Sequence, residues 1–250
     1  MIKILLVGCN GKMGHMISSI VKTSEHLKIE AGIDMNTSSD FDYPVYDCIN
    51  NVQETIDVIL DFSRPSSLKS ITNYALSNNI PIVLCTTGYS VEEIAFIKNL
   101  QNSIPVFYSA NMSIGINIIN NILKSISNTL FQDFDIEIIE KHHNEKVDAP
   151  SGTALLLANT IKDSIKADTN LIKGRNGIAK REHSEIGIHA IRGGNIIGDH
   201  EVIFAGKGEV IEIKHSAISR EVFAVGALKA CEFVHDKPKG LYSMDDVVKL

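Results

Sequence analysis

Ile2-Lys-Ile-Leu-Leu-Val7 followed by Gly8-Cys9-Asn10-Gly11-Lys12-Met13-Gly14 is the stretch that decides the fold. The first six residues form a short apolar run that stops at a glycine, the pattern of a buried parallel strand. A helix pattern follows from about Met13 to Lys22. Between the two, glycines permit a tight turn and let backbone N–H groups approach a pyrophosphate. The helix N-terminus behind them adds a partial positive charge. The spacing is G-x-x-G-x-x-G, with Asn10 where the more usual loop has its second glycine. Asn tolerates left-handed backbone angles, so the turn is expected to survive. Glycines alone also fit a plain β–α turn. Asp34 adds weight, because it ends the next strand (27–33), twenty residues after Gly14. An acid there accepts hydrogen bonds from the adenosine ribose hydroxyls. Its ordinary reading is a turn aspartate, but loop, strand and acid together favour a dinucleotide site.

Working outward, residues 56–62, 80–84 and 104–108 are further strand candidates, with helical patterns near 67–77 and 91–100. Strand and helix alternating at this spacing mean βαβ units and a parallel sheet. Residues 1–111 therefore read as a Rossmann-like dinucleotide-binding domain in an α/β chain. Asp61-Phe-Ser-Arg64-Pro65, Cys85-Thr86-Thr87-Gly88 and Tyr108-Ser109-Ala110-Asn111-Met112-Ser-Ile-Gly115 all fall at strand C-termini, where ligands bind in open α/β sheets.

After Asn111 the pattern changes. A long helix near 114–131 leads into a strand at 135–140, a polar loop, and a helix from Ser151. Alternating stretches at 186–191, 201–205 and 209–215 follow. The last two flank Gly206-Lys207-Gly208, which suggests a hairpin. About 112–220 thus reads as a smaller α+β domain with an antiparallel or mixed sheet. Helices at 220–234 and near Asp245 close the chain. Residues 221–250 are expected to return to the first domain, although periodicity does not establish it.

The bulk numbers agree with a globular chain of one large or two modest domains: 250 residues, 44% hydrophobic and 22% charged. A net charge of −6 argues against a nucleic-acid partner. It also requires any bound anion to be held by local donors. The four cysteines, Cys9, Cys48, Cys85 and Cys231, form no C-x-x-C pair. Reduced thiols in a cytoplasmic protein are the simple reading. Cys9 is as well explained as a small filler as by a redox role. No signal peptide and no run near the ~20 apolar residues of a membrane helix is evident, so neither export nor membrane insertion is expected.

The densest chemistry lies in Glu140-Lys-His142-His143-Asn-Glu-Lys146-Val-Asp148-Ala-Pro-Ser151-Gly152-Thr153-Ala154. Ser151 is a good N-cap. The N–H groups of Gly152 and Thr153, with the Thr153 hydroxyl, then suit a carboxylate. Lys146 brings a positive charge, and His142 and His143 can transfer protons near neutral pH. A solvated loop before a capped helix explains Ser151 but not the histidines, lysine and glycine together. His-His-x-x-Lys has no second cluster at ligand spacing, so no metal is expected.

Residues 137–154 resemble the signature of the 4-hydroxy-tetrahydrodipicolinate reductase family. The likeness extends through Gly8–Gly14, Asp61–Pro65, Thr86–Gly88, Ala110–Gly115 and Arg192-Gly-Gly-Asn-Ile-Ile-Gly-Asp-His200. It implies a Rossmann-like domain and a second domain that binds substrate and builds a homotetramer. The activity implied is NADH- or NADPH-dependent reduction of 4-hydroxy-tetrahydrodipicolinate, a small dicarboxylate, to tetrahydrodipicolinate with loss of water, in lysine and diaminopimelate biosynthesis. His142 is similar to the family's proton donor/acceptor and Lys146 to its second proton donor. His143, Gly152 and Thr153 match substrate-binding positions. Gly8, Cys9, Asn10, Gly11, Lys12, Met13, Asp34, Arg64, Cys85, Thr86, Thr87, Ser109, Ala110, Asn111 and Met112 match cofactor-binding positions. Cys85 stands where glycine is usual, Met112 where Phe is common, and Met35 where some members carry Arg. With Asp34 present and no Arg at 35, NADH is expected to be preferred and NADPH still used. A non-catalytic NAD(H)-binding sensor would keep the glycine loop but need neither His142 nor Lys146. Another amino-acid dehydrogenase would need a different substrate anchor.

Overall fold

The structure is a computed structural model that describes residues 1–38 and 40–249. Leu250, at the end of the expected C-terminal return, lies outside the described residues, as does Ser39. In chain order the elements are β1 (Ile2–Val7), α1 (Lys12–Val21), β2 (Leu27–Ile33), β3 (Val45–Tyr46), β4 (Val58–Asp61), α2 (Leu68–Asn78), β5 (Ile82–Leu84), α3 (Val91–Leu100) and β6 (Pro105–Tyr108). Then come α4 (Ile114–Leu130), β7 (Asp135–His142), α5 (Gly152–Ser164), β8 (Asn170–Lys173), β9 (Glu185–Arg192), β10 (Gly198–Ala205) and β11 (Val210–Ala217). The chain closes with α6 (Glu221–Val234), β12 (Gly240–Tyr242) and α7 (Met244–Val247). Short 3-10 turns lie at Ile49–Asn51 and Pro65–Ser67.

The chain divides into two compact units, Met1–Ile114 with Glu221–Lys249, and Gly115–Arg220. In the first, the seven strands among the described residues form a parallel sheet in the order β12-β6-β5-β4-β1-β2-β3. The strand order reverses at β1, whose neighbours are β2 and β4, so the topological switch point lies beside the glycine loop. Ile4, Leu5 and Leu6 are fully buried, because a parallel strand with helices on both faces presents every side chain to the interior. Each such side chain stabilises the fold by about 1.5–3 kcal/mol. Helix α3 starts with a capping box in which Ser90 and Glu93 satisfy each other's backbone N–H.

The second unit is a mixed sheet, β11-β10-β7-β9-β8, with β7/β9 and β8/β9 parallel and the other pairs antiparallel. The β10–β11 hairpin closes through Gly206 N–H to Glu209 O at 2.9 Å. Ile119 and Leu123 of α4 and Ala154, Leu157 and Ile161 of α5 pack with Ile136, Ile138, Ile186, Ile188, Val202 and Phe204 of the sheet. Residues along β7 alternate strictly between half-buried and buried. Ile136, Ile138, Glu140 and His142 therefore share the buried side. No helix among the described residues is long and apolar enough to cross a membrane.

Candidate active site

In the second unit, two polar side chains continue the buried phase of β7 where apolar ones stop. Glu140 is fully buried and His142 is 8% exposed. His142 Nδ1 lies 2.6 Å from Glu140 Oε2. Arg192, opposite His142 on the neighbouring β9, grips the same carboxylate with Nη1 to Oε2 at 2.8 Å and Nη2 to Oε1 at 2.7 Å. Ser151 N–H donates to Oε1 at 3.0 Å. Burial opposes ionisation of Glu140, but the hydrogen bonds from Arg192, His142 and Ser151 outweigh it and hold its pKa below the ordinary value. Across β10, His200 is paired with Glu140 and its ring meets that of His142 edge-on at 5.2 Å. Burial, and next the neighbouring His142, push the His200 pKa down to about 4, so His200 is neutral near pH 7. Its Nε2 lies 3.0 Å from Ser151 Oγ.

Ser151 Oγ also accepts from Ala154 N–H, which makes Ser151 the N-cap of α5. Gly152 and Thr153 are thus the first two residues of that helix, and Gly152 is exposed. The loop between is tied to the sheet: Gly193 N–H donates to His142 O at 2.9 Å and Asn144 N–H to Gly194 O at 3.3 Å. His142, His143, Lys146, Gly152 and Thr153 therefore belong to one strand end, loop and helix start. Lys146 is not a free cation, because its Nζ pairs with Asp148 Oδ1 at 2.7 Å. That bond, ahead of other causes, holds the Asp148 carboxyl below its usual pKa. Glu140, Arg192 and His200 were not singled out from the sequence. The signal was the phase of β7: Ile139 interrupts the alternation, and the strand runs two residues past Glu140.

The other expected positions lie in the first unit, at the C-terminal ends of β1, β2, β4, β5 and β6. Gly8 has φ +82°, and a Cβ there would meet Phe62 O at 2.7 Å. A Cβ at Gly14 would meet Cys9 O at 2.2 Å, so α1 lies against the loop as only glycine permits. Asn10 is not left-handed; Asn79 is the non-glycine residue with positive φ among those described. Gly8 supplies the left-handed turn, and the Asn10 amide instead donates to Asn36 O. Asp34 Oδ2 accepts from Asn10 N–H at 3.1 Å and Oδ1 from Asn36 N–H at 3.2 Å. Cys9 is buried against Gly32, and burial, then the Asp34 charge, push its thiol up to about 12. It fills space, and it is not a thiolate.

Asp61, at the end of β4, is fully buried. It accepts from Ser63 N–H (2.9 Å), Ser63 Oγ (2.5 Å), Thr86 Oγ1 (2.8 Å) and Tyr89 OH (3.2 Å). Burial raises its pKa despite these bonds. The carboxylate joins the β4 end to the Cys85–Thr87 segment. Arg64, Lys12 and Thr87 are exposed. In the segment after β6, Ser109 Oγ donates to Asn111 O at 3.1 Å and Asn111 Oδ1 accepts from Ser113 N–H at 2.8 Å. Gly226 of α6 presses on this segment, since a Cβ there would stand 1.7 Å from Met112 O. The residues fit a dinucleotide: Gly8, Gly11 and Gly14 put no side chain over the loop, whose amides at Gly8, Cys9, Asn10 and Gly11 donate within the protein, so the N–H groups of the first turn of α1, which holds no acid, are the ones that would face a pyrophosphate. Among the described residues no group of three or more His, Cys, Asp or Glu side chains is placed to hold a metal ion.

Comparisons with known proteins cover both units. Residues 2–112 match the family model described as "Dihydrodipicolinate reductase, N-terminus" and residues 115–248 the model described as "Dihydrodipicolinate reductase, C-terminus". Among curated relatives, the 4-hydroxy-tetrahydrodipicolinate reductase of Clostridium novyi (strain NT) is 63% identical over 249 residues, 100% of this chain and 99% of its own. That of Clostridium tetani (strain Massachusetts / E88) is 60% identical, over 98% of this chain and 96% of its own. A solved dipicolinate-bound dihydrodipicolinate reductase from Paenisporosarcina sp. TG-14 superposes with a TM-score of 0.80 at 26% identity, covering 99% of each chain. A myo-inositol dehydrogenase from Corynebacterium glutamicum shares the fold at a TM-score of 0.60 and 15% identity, over 96% of this chain and 90% of its own. With both family models matched and relatives this similar over the full chain, the chain belongs to the dihydrodipicolinate reductase family.

Proposed function

We propose that His142, Lys146, His143, Gly152 and Thr153 carry out the family's reaction, NAD(P)H-dependent reduction of 4-hydroxy-tetrahydrodipicolinate to tetrahydrodipicolinate with loss of water. Family membership makes the chain an NAD(P)H-dependent oxidoreductase of lysine and diaminopimelate biosynthesis. The bound nicotinamide supplies a hydride. Gly8–Met13 would hold the pyrophosphate, Asp34 the adenosine ribose, and Arg64, Cys85–Thr87 and Ser109–Met112 the remainder. His142 transfers the proton and Lys146 serves as the second donor. The start of α5, with its N–H groups and the Thr153 hydroxyl, receives a substrate carboxylate, and His143 lines the same pocket. The observation that carries this reading is the joining of a proton-transfer group and a helix N-terminus within one short loop, through Glu140 and Ser151. The dipicolinate bound to the Paenisporosarcina relative is a planar dicarboxylate of the kind such a site would hold. NADH is preferred over NADPH, and the protein acts in the cytoplasm as a homotetramer assembled through its second unit.

The test is His142→Gln. A positioned acid–base group contributes roughly 10²–10⁴-fold to rate. The variant should lose kcat by that order and keep its NADH affinity. Near wild-type turnover would remove His142 from the proton-transfer role.

A further inference from the structure

We propose that Glu140, clamped by Arg192, is the positioning residue for His142: it fixes the proton on Nδ1 and turns Nε2 toward the space that Gly198 leaves open. The inference rests on the reading of His142 as the proton-transfer group.

A carboxylate can only accept hydrogen bonds. Glu140 accepts four, two from Arg192, one from Ser151 N–H and one from His142. The group on His142 facing Glu140 must therefore be N–H, and neutral His142 carries its proton on Nδ1. Nε2 is then the atom that takes or gives a proton. On that side stands Gly198, in the buried phase of β10. A Cβ at Gly198 would approach Nε2 to 3.1 Å, tighter than ordinary contact. Glycine there keeps the reacting nitrogen uncovered.

Arg192 has its own part. Glu140 alone would place an uncompensated charge in the interior and would bind an imidazolium too firmly to release its proton. With the guanidinium on both carboxylate oxygens, the pair is close to neutral while His142 is neutral. Arg192 Nη2 also reaches Asp148 O at 2.6 Å, so it braces the loop carrying Lys146. Through Ser151 N–H the same carboxylate holds the first residues of α5. One buried side chain thereby sets the separation between the proton group and the carboxylate anchor. Among the described residues, the charged and titratable groups facing His142 are Glu140 on its own strand, Arg192 on β9 and His200 on β10. Burial keeps His200 neutral near pH 7, which leaves the Glu140–Arg192 pair in control of the imidazole.

The test has two parts. In the wild-type protein without substrate, the ¹⁵N chemical shifts of His142 report its neutral tautomer. Nδ1–H is expected, and a dominant Nε2–H tautomer overturns the proposal with no variant needed. In Glu140→Gln, whose amide can both donate and accept, the tautomer should become mixed. Turnover should fall about 10²-fold, the typical cost of misplacing a reacting group by about 1 Å. NADH affinity should stay constant, KM should change far less than kcat, and the pH–rate profile should move. Glu140→Asp, which restores the charge, should recover part of the loss. A variant that folds and keeps the wild-type tautomer, profile and kcat refutes the role. If the variant does not fold, the wild-type tautomer decides. If His142→Gln retained turnover while the tautomer results came out as expected, the reading of His142 would fall and the Glu140 geometry would stand.

Discussion

Replacing Gly226 by Ala should damage cofactor binding from the far side of the Ser109–Met112 segment proposed to hold it. The new Cβ would stand 1.7 Å from Met112 O, where ordinary contact begins at 3.4 Å. One partner must therefore retreat by well over an ångström. The helix is poorly able to do so, because Ala224, Ala227, Ala230 and Cys231 of α6 are all fully buried. The obstacle is a backbone carbonyl, so no side-chain rotation relieves the overlap. Overpacking of this kind costs about 1–3 kcal/mol. The better helix propensity of Ala returns up to about 1 kcal/mol. For a chain of this size, a net loss of about 1–2 kcal/mol lowers Tm by roughly 2–8 °C. The part that yields is the Ser109–Met112 segment, so NADH affinity should weaken, by about tenfold if 1.4 kcal/mol of contact is lost. Thermal unfolding and NADH fluorescence titration measure the two effects side by side. Unchanged Tm together with unchanged Kd would show that α6 can slide away, and the assignment of Gly226 as the brace of this segment would be wrong.

Cofactor preference follows from Asp34, whose charge would face a 2′-phosphate, while Met35 is exposed and offers no guanidinium. Wild-type kcat/KM should favour NADH about tenfold, or about 1.4 kcal/mol. Asp34→Ser with Met35→Arg should move the ratio toward NADPH, and an NADPH preference in the wild type would contradict the reasoning. Thr153→Val removes a hydroxyl at the start of α5 with little change of shape. It should cost roughly 1.5–3 kcal/mol in KM and in dipicolinate affinity, and unaltered dipicolinate binding would move the carboxylate elsewhere.

Most of the parallel sheet was legible because its strands are short apolar runs punctuated by glycine or acid. Val45–Tyr46 and Gly240–Tyr242 of that sheet were not, nor was Asn170–Lys173 of the mixed sheet. Each sits at a sheet edge and pairs on one side only, so neither length nor periodicity marks it. The loop turn forms as its glycines imply, but Asn10 contributes differently from what its backbone tolerance suggests: it is not left-handed, and its side chain donates a hydrogen bond to Asn36 O. At the candidate active site the histidines and Lys146 stood out as residue types. Glu140 and Arg192 did not, because an ion pair built on a buried carboxylate looks like surface charge in a linear sequence. Its meaning appears only when the strand phase places Glu140 inside and the β7–β9 pairing brings Arg192 alongside.

The strict alternation along β7 also acts as an inspection step. Sliding this strand by one residue would turn every side chain to the opposite face. Asp135, Glu137 and Lys141 would enter the apolar layer under α4 and α5, while Glu140 and His142 would be carried out to the other side. Misregistered molecules would thus lose the core and the proposed proton-transfer group in the same event. A well-folded but inactive population from this error is not available to the chain, because one reading frame of side chains specifies both the interior and the chemistry.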